Sequence, residues 1–522
     1  MKKFNVTGVC VRRKHYMVDI SEKMKEIMQM VYGGYYFTIN RGRQYGKTTT
    51  LFEIEDRLND SDYICVCTSF EVVACGMFEN EHGFCQGFLK HIYSALRYTA
   101  PDYAKLWLDE NVTDFNMLSD HITKLCMSKK VVLLIDEVDA SSNNQIFLSF
   151  LAMLRKKYLA RERPNHDTFH SVILAGVYDI KNIKLKLVKE GKAELKPGER
   201  QQNSPWNIAA DFNVDMSFNP TEITNMLEEY EKDHQTGMDV PAIANEIHKF
   251  TSGYPFLVSR LCKYIDDYLN KNWTVSGVHE AIRIIPTERS TLFDDLIKNL
   301  ASYQNLYDLL YRIIIRGEKR KYIIYDEDVF LAVTFGYVKR IDNITAISNK
   351  IFELMLCEYF VNQDVRANAI TPPIGLGLYS EITAGGTFDM ELCLRKFAAH
   401  YKEIFAKRHI SFFEEHGAII LLSFLNPLVN GNGFYHLESR LADYRRMDIV
   451  VDYGKDQFII EAKLWNGEAG RAKAYDQLLG YMEAKNADRG YLVTFDLRRV
   501  GNKEQKIEWV QVGDKQIFDV VV

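Results

Sequence analysis

The sequence predicts a multidomain α/β protein, with a parallel sheet in its first part and a second α/β unit at its end. Between residues 35 and 218, short apolar runs alternate with helical stretches, which is the pattern of a parallel sheet covered by helices. From about Met390, strand and helix patterns alternate again. At roughly 100 to 200 residues per domain, a chain of 522 residues is expected to hold three or four domains.

Four runs in the first part are predicted to be strands. Each is largely apolar and lacks a regular polar alternation, as expected for strands buried on both faces of a sheet. These runs are residues 35–40, 63–70, 131–135 and 171–177. We therefore assign residues 1–218 to the first domain.

The middle of the chain is predicted to be mostly helical. Asn219, Pro220 and Glu222 offer an N-cap, a first-turn proline and a capping-box glutamate, so a helix is expected to begin there. We predict a helical lid over residues 219–285. Residues 286–365 show helical runs followed by a β-like stretch at 338–346, a pattern compatible with a winged-helix module.

The last part is divided by composition. Residues 366–394 hold a cluster of proline and glycine and are interpreted as a linker. The final α/β unit is assigned to residues 395–522.

Composition places the chain among globular proteins and excludes disordered and fibrous classes. It is 47% apolar and 26% charged, with a net charge of -5. Its 9 cysteines show no paired C-x-x-C spacing, and no charge-free apolar run is long enough to cross a bilayer. We expect a cytoplasmic protein without membrane association. A pI near 6.3 argues against a broad cationic coat, although a local basic groove remains open.

Residues 42–48 follow the first predicted strand directly and precede a predicted helix. Backbone amides at such a helix start bind phosphate, Lys47 would neutralise the β- and γ-phosphates, and Thr48 would offer its hydroxyl to Mg²⁺. In the G-x-x-x-x-G-K-[ST] pattern the first glycine should be residue 41, which is Arg41 here. A simple turn with a helix cap is the alternative. The predicted nucleotide-binding set is Gly42, Gln44, Tyr45, Gly46, Lys47, Thr48, Thr49 and Asp136.

The third predicted strand ends in two carboxylates, Asp136 and Glu137. Because ligands of open α/β sheets bind outside the carboxyl ends of the strands, Asp136 is expected to face the metal held by Thr48. Glu137 would then polarise the attacking water. A solvated acidic turn is the alternative for this motif alone, but both motifs in the correct order indicate an ATP or GTP site.

The chain resembles the bacterial AAA-like ATPases of the STAND-related P-loop group. The segments that carry this resemblance are residues 15–17, 40–48, 171–177, 204–208 and 251–258. The resemblance implies ATP binding, a lid with Gly253 and Pro255 near the nucleotide, and a winged-helix module. Arg260, one turn further along, would reach a phosphate or remain a solvated helix residue. Asp179 is a candidate polar sensor.

A second constellation lies near the C-terminus, in two predicted strands. Glu461 and Lys463 alternate with apolar residues, so their side chains share one face of a strand. If Gly454 and Lys455 form a two-residue type II′ turn, Asp448 lies directly opposite Glu461. A divalent cation between the carboxylates would remove their repulsion, and Lys463 would hold the attacking water or stabilise developing charge. The alternative is a surface hairpin without a metal.

This D-x(n)-E-A-K pattern resembles the PD-(D/E)XK nuclease superfamily, a restriction-endonuclease-like α/β fold. The resemblance implies further metal-shell candidates: Glu414 or Glu415 on the helix before the core, and Glu438 on its first strand. Gln477 and Tyr481, on the helix after Lys463, would contact substrate or pack as a helix with a polar rim.

Together these patterns predict an ATPase module that regulates a metal-dependent nuclease. The expected cofactors are ATP and Mg²⁺ or Mn²⁺, and the expected partner is a nucleic acid, either DNA or RNA. A homo-oligomer is left open. The alternatives are a non-catalytic ATP switch whose last domain only binds nucleic acid or protein, and a nucleotide site that is merely structural.

Overall fold

The computed structural model describes most of the chain as two units. The described residues are 2–59, 62–71, 77–138, 145–177, 206–367, 380–383, 386–404, 414–429, 433–439, 447–496 and 506–522. The first unit comprises residues 1–244, 253–263 and 333–336, and the second comprises 245–252, 264–332 and 337–522. Among helices of the described part, none is long and apolar enough to cross a membrane.

The first unit is built on a four-stranded parallel sheet with the strand order β1-β4-β3-β2. This confirms the predicted α/β fold, and each predicted strand lies within a residue or two of an observed one. The strands are β1 (Tyr36–Asn40), β2 (Tyr63–Ser69), β3 (Lys130–Asp136) and β4 (Ser171–Gly176).

Helices cover both faces of this sheet, because successive residues of its strands point to opposite sides. In β3, Val131, Leu133 and Ile135 belong to one apolar core. Val132 and Leu134 belong to the other. The helices are α1 (Ser21–Tyr32), α2 (Lys47–Asn59), α3 (Glu81–Leu96), α4 (Pro101–Lys105), α5 (Phe115–Cys126) and α6 (Gln145–Ala160).

The predicted capping motif begins a helix, α7 (Pro220–His234). The Asn219 side chain accepts a hydrogen bond from the Glu222 amide, and the Glu222 carboxylate accepts one from the Asn219 amide. Three more helices follow in the region predicted as a lid. They are α8 (Val240–Thr251), α9 (Pro255–Tyr268) and α10 (Val275–Ile284).

The region predicted as a winged helix combines helices with a three-stranded sheet of order β5-β7-β6. The β-like stretch at 338–346 is the hairpin of β6 and β7. That this region is a winged helix stays a prediction. Its elements are α11 (Thr291–Ser302), α12 (Gln304–Ile314), β5 (Arg320–Lys321), α13 (Glu327–Thr334), β6 (Val338–Ile341), β7 (Ile344–Ile347) and α14 (Lys350–Ala367).

The C-terminal part of the second unit is a mixed sheet of six strands, in the order β12-β13-β11-β10-β9-β8. β11 pairs in parallel with β10 and with a later strand, whereas β9 is antiparallel to both its neighbours. The strands are β8 (Gly433–Ser439), β9 (Met447–Tyr453), β10 (Asp456–Leu464), β11 (Arg489–Phe495), β12 (Ile507–Val512) and β13 (Lys515–Val521).

Helices pack on both faces of this mixed sheet. They are α15 (Met390–Ile404), α16 (Glu414–Val429) and α17 (Gly467–Ala484). Gly417 of α16 lies so close to Phe495 that an added Cβ would fall 2.5 Å from the ring. Leu478 of α17 packs with Val450 and Ile459, so this helix covers the face that also bears Glu461.

Candidate functional sites

The loop between β1 and α2 has the backbone of a phosphate-binding turn. Gln44 and Gly46 both have positive φ, 57° and 78°. The Thr50 amide then donates to the Gly46 carbonyl at 2.9 Å, which closes the first turn of the helix. The helix N-terminus therefore lies directly after the loop, where its free amides and dipole favour an anion.

Lys47 is held over this loop. Its side chain is 7% exposed, and its ammonium donates to the Arg41 carbonyl at 3.0 Å and the Gly42 carbonyl at 3.1 Å. These neutral acceptors can be exchanged for phosphate oxygens, which bind an ammonium more strongly because the bond is then charge-assisted on both sides.

Thr48 and Asp136, which are 88 residues apart, are in direct contact. The Thr48 hydroxyl donates to Asp136 Oδ2 at 2.5 Å, and Asp136 Oδ1 accepts from the Glu137 amide at 2.9 Å. Asp136 is 5% exposed. A hydroxyl and a carboxylate in contact at a phosphate loop are the hard oxygen ligands that suit Mg²⁺, so the residues present fit this ion.

Glu137 follows the strand in a left-handed conformation, with φ of 51°. A non-glycine residue pays a conformational cost in this region. Glu137 directly follows Asp136, the last residue of β3, so both residues lie at the carboxyl end of this strand. Its role toward water stays a prediction.

The structure explains the displaced glycine. A Cβ at Gly42 would lie 2.7 Å from the Phe335 carbonyl oxygen, so only glycine fits without a shift of backbone. Arg41 donates to the carbonyls of Asn40 and Val214 at 2.9 and 2.8 Å. Its burial lowers the guanidinium pKa. Arg41 is thus fixed by protein contacts, and the requirement at Gly42 comes from packing.

Two tyrosines brace the loop. The Tyr45 and Tyr254 rings meet edge to face at 4.5 Å. The Tyr45 hydroxyl bonds to Ser217 at 2.7 Å, and Tyr254 donates to the Arg43 carbonyl. The sequence placed Tyr45 in the nucleotide set but did not predict these partners. Thr49 is at the outer side of the helix start, where its hydroxyl accepts from the Cys10 amide at 3.4 Å.

Of the residues in the predicted lid, Gly253 occupies a position that requires glycine. Its φ is 72°, and an added Cβ would fall 1.9 Å from the Phe218 carbonyl oxygen. Pro255 begins α9, and Arg260 lies on the same helix. Their roles toward nucleotide stay predictions, and Asp179 lies outside the described residues.

The predicted carboxylate pair has the predicted register. Asp448 of β9 is directly opposite Glu461 of β10, and Glu438 of β8 is opposite Asp448. Gly454 in the connecting turn has φ of 61°, as a type II′ turn requires. Directly opposed residues share one face of a sheet, so the backbone places these three acids in one row. Their joint use of a metal stays a prediction, since the side chains of Asp448, Glu438 and Glu414 lie outside the described part.

Glu461 is an unusual carboxylate because it is 1% exposed. The Lys463 ammonium lies 2.7 Å from Glu461 Oε1, at an angle that does not make a hydrogen bond. Within the described residues, neither carboxylate oxygen has a hydrogen-bond donor. Buried charges are costly unless they are paired and hydrogen-bonded, so Glu461 fits a divalent cation. No group of three metal-ligating side chains occurs within the described part of the chain.

The sequence analysis missed a second buried acid in the same sheet. Asp519 of β13 is fully buried and is opposite Leu492, which in turn is opposite Glu461. Its Oδ2 accepts from Arg471 Nε at 3.0 Å and from the Tyr475 hydroxyl, both on α17. A carboxylate inside the apolar run 517–521 was the available signal. Of the two predicted residues on this helix, Tyr481 is buried against the sheet.

Comparison with known proteins gives one family match. The model for an AAA-like domain matches residues 9–356, more than half of the chain. No curated protein matches.

Solved structures to which the chain is similar include the following three proteins. The Walker-type ATPase PABY2304 of Pyrococcus abyssi shares 12% identity at a TM-score of 0.45, over 68% of this chain and 99% of that one. The ORC2 protein of Aeropyrum pernix, described with ADPNP and ADP, shares 11% at 0.35, over 70% and 97%. Cdc6p from Pyrobaculum aerophilum shares 11% at 0.32, over 70% and 98%.

Proposed function

This chain belongs to the family of AAA-like domains, and from that premise we propose that its ATPase controls a metal-dependent nuclease at the C-terminal end of the chain. Residues 9–356 are the AAA-like P-loop region. The observation that supports ATP turnover is the contact of Thr48 with Asp136 at the end of a buried strand. The observation that supports a nuclease is the buried Glu461 opposite Asp448.

In the ATPase site, each residue has a distinct task. The loop amides and Lys47 bind the β- and γ-phosphates, because the ammonium exchanges its carbonyl acceptors for phosphate oxygens. Thr48 and Asp136 would hold Mg²⁺, and Glu137 would orient the attacking water. Bound Mg²⁺ would supply neutralisation of the charge that develops on the phosphate oxygens.

In the C-terminal sheet, Asp448 and Glu461 would hold Mg²⁺ or Mn²⁺, with Glu438 and Glu414 as further ligands. The ion would supply Lewis-acid activation of a phosphodiester of DNA or RNA. Lys463 then orients the attacking water or binds the oxygen on which negative charge develops. It is suited to this task because its side chain is held beside Glu461, with 14% of its surface exposed.

The test of this function is a cleavage assay on single- and double-stranded DNA and RNA with Mg²⁺ or Mn²⁺. Wild type and Lys47→Ala are each measured with and without ATP. We expect cleavage in wild type that responds to ATP, and cleavage in Lys47→Ala that does not. Equal cleavage in all four conditions would contradict control of cleavage by ATP. Absence of cleavage of every substrate would contradict the proposed nuclease activity.

A second candidate is an ATP switch whose C-terminal sheet binds a nucleic acid or a protein without cutting it. The ion pair of Lys463 with Glu461 favours it, because this pair compensates the buried charge in part without a metal. Calorimetric titration with Mn²⁺ separates the two candidates. Heat in wild type that is lost in Asp448→Ala supports the nuclease, and absence of heat in both supports the switch.

A further inference from the structure

Phe434, the second residue of β8, is clasped by two rings of the predicted lid. The Phe250 ring of α8 lies 6.0 Å from it at 89°, and the His279 ring of α10 lies 6.2 Å from it at 90°. Both contacts are edge to face, the arrangement that aromatic rings prefer. The edge strand of the C-terminal sheet is thus anchored to α8 and α10 by one side chain.

The two lid helices that hold Phe434 are tied to each other. His279 Nε2 bonds to Glu246 Oε1 at 2.7 Å, which joins α10 to α8. The Phe250 and His279 rings also meet, at 5.5 Å. These contacts make α8 and α10 one clamp, so a displacement of either helix is passed to Phe434.

The packing beside this clamp is incomplete. A cavity of about 50 Å³ is lined by residues that include Arg283, Glu358 and Tyr435. Within the described residues, Arg283 Nε and the Tyr435 hydroxyl have no hydrogen-bond partner. Burial raises the pKa of the Glu358 carboxyl. Phe434 itself lines this cavity, together with mainly apolar side chains. Because a cavity is easier to deform than a close-packed core, the ring contacts of Phe434 provide the close packing at this place.

The other end of β8 reaches the acids of the proposed metal site. β8 is paired with β9 along its whole length, from Gly433 opposite Tyr453 to Ser439 opposite Met447. An added Cβ at Gly433 would fall 2.4 Å from the Asp452 carbonyl oxygen, so the two strands are in close contact. From Phe434 to Glu438, which is opposite Asp448, the strand spans about 14 Å.

The clamp continues into a short turn between two helices. α8 ends at Thr251, and the next two residues, Ser252 and Gly253, both have positive φ, 46° and 72°. α9 begins two residues later, at Pro255. Hinges are often such short connections between helices, which absorb large changes of φ and ψ.

We propose that Phe434 is the latch through which the lid helices set the position of β8, and with it the spacing of Glu438, Asp448 and Glu461. A change of the lid between nucleotide states moves the clamp, and the paired strand carries that displacement to the acids. Because metal sites depend on ligand positions within fractions of an ångström, a small shift is sufficient. This latch rests on the proposed function, and it names how the C-terminal site is regulated.

The latch is tested first by hydrogen exchange of the β8 and β9 amides, with and without ATP. The variant is Phe434→Ala, and the matched control is Phe458→Ala, a half-buried ring of β10 whose ring contacts among the described residues are with Phe388 and Tyr491. We expect ATP to change exchange about fivefold or more in wild type and control, the low end of measured couplings. In Phe434→Ala we expect no change. A change that persists there, or no change in wild type, overturns the latch.

Two further measurements separate the latch from the nuclease. If wild type cleaves in response to ATP, Phe434→Ala should keep its basal cleavage and ATP turnover but lose that response. If wild type does not cleave, the nuclease fails while the exchange experiment still decides the latch. His279→Ala removes the ring contact with Phe434 and also the Glu246 bond that ties α10 to α8, so it should weaken the response. His279→Phe keeps a ring against Phe434 but loses the Glu246 bond, so it should weaken the response less. In a Phe434→Ala background neither change should alter the response further, because the ring that the clamp holds is absent.

Discussion

Asp136 and Glu461 are both buried carboxylates on strands of a sheet, but their surroundings differ. Asp136 accepts hydrogen bonds from the Thr48 hydroxyl and the Glu137 amide, so each of its oxygens is satisfied by the protein. Glu461 is more deeply buried and has the Lys463 ammonium close to one oxygen, and within the described residues neither oxygen accepts a hydrogen bond.

The two sites therefore differ in how far the protein itself provides hydrogen-bond partners for the buried carboxylate. In the ATPase site, Lys47, Thr48 and Asp136 each bond to other groups of the protein, and these partners would be exchanged for phosphate and Mg²⁺. In the C-terminal site, the buried Glu461 carboxylate is paired with Lys463 but accepts no hydrogen bond within the described residues, and a divalent cation would give its oxygens a further partner. We therefore expect ATP binding at the first site to weaken when a donor such as Lys47 is removed. At the second site we expect cleavage to fall when the cation or one of its ligands is removed.

The largest effect is expected at the C-terminal acids. Asp448→Ala or Glu461→Gln should lower cleavage about 10³-fold, about 4 kcal/mol, since Lewis-acid activation is lost with the ion. ATP turnover should be unchanged. Asp452→Ala is the matched control, because Asp452 lies on the same strand and is bonded to Gln457 rather than paired with Glu461. Cleavage that survives in both acid variants contradicts the metal site.

Next in size is the loss of the lysine of the phosphate loop. Lys47→Ala should weaken ATP binding about 100-fold, because a hydrogen bond to a charged group contributes up to about 3 kcal/mol. Titration with a fluorescent ATP analogue measures this. Lys105→Ala, which removes a well exposed lysine, should bind as wild type does. Equal affinity in all three proteins would leave the loop without its predicted role.

Much of both sites was predictable because their signals are local. The parallel strands follow from unbroken apolar runs, and the start of α2 follows from the glycine and lysine just before it. The opposition of Asp448 and Glu461 was predictable because a two-residue turn fixes the register of a hairpin. Each of these inferences needs only neighbours within about 15 residues.

Most contacts between distant parts of the chain were not predictable in this way. Thr48 with Asp136 is an exception, because each belongs to a motif at the same edge of the sheet. Gly42 is required by the carbonyl of Phe335, and Tyr45 is bonded to Ser217. No periodicity links residues so far apart in sequence. The ion pair of Asp519 with Arg471 was predictable only in part. An acid inside an apolar strand signals a buried partner, but the sequence does not say which cation supplies it.

Metal binding should also stabilise the C-terminal sheet against unfolding. At a Mn²⁺ concentration 100 times the dissociation constant, the free energy of unfolding of the C-terminal sheet should rise by about 2.7 kcal/mol, because the folded state alone binds the ion. Hydrogen exchange of the β9 and β10 amides at increasing denaturant concentration measures the change, because it reports on this sheet alone. Asp448→Ala should show no rise. A rise of equal size in that variant would place the ion elsewhere.

A smaller effect is expected at Gly42, where the substitution changes packing within the first unit. Gly42→Ala should lower the free energy of unfolding by about 2 kcal/mol, because the added Cβ overlaps the Phe335 carbonyl and forces a backbone shift. Gly480→Ala is the matched control, because Gly480, like Gly42, lacks a positive φ and its added Cβ meets nothing within 4 Å. A cost at Gly42 no greater than at Gly480 would show that the packing contact is unimportant.

The smallest effect concerns the hydrogen bond between His279 and Glu246 that joins the clamp helices. The hydrogen bond from His279 lowers the pKa of Glu246 below its ordinary value of 4.5. A lowered carboxyl pKa in the folded state adds stability that is complete above pH 4.5 and is lost as the pH falls through the folded-state value. Glu246→Gln should therefore cost about 1 kcal/mol at pH 7. The difference from wild type should shrink below pH 4.5, as urea unfolding at several pH values will show. A difference that stays constant with pH would mean that Glu246 acts through packing rather than through its charge.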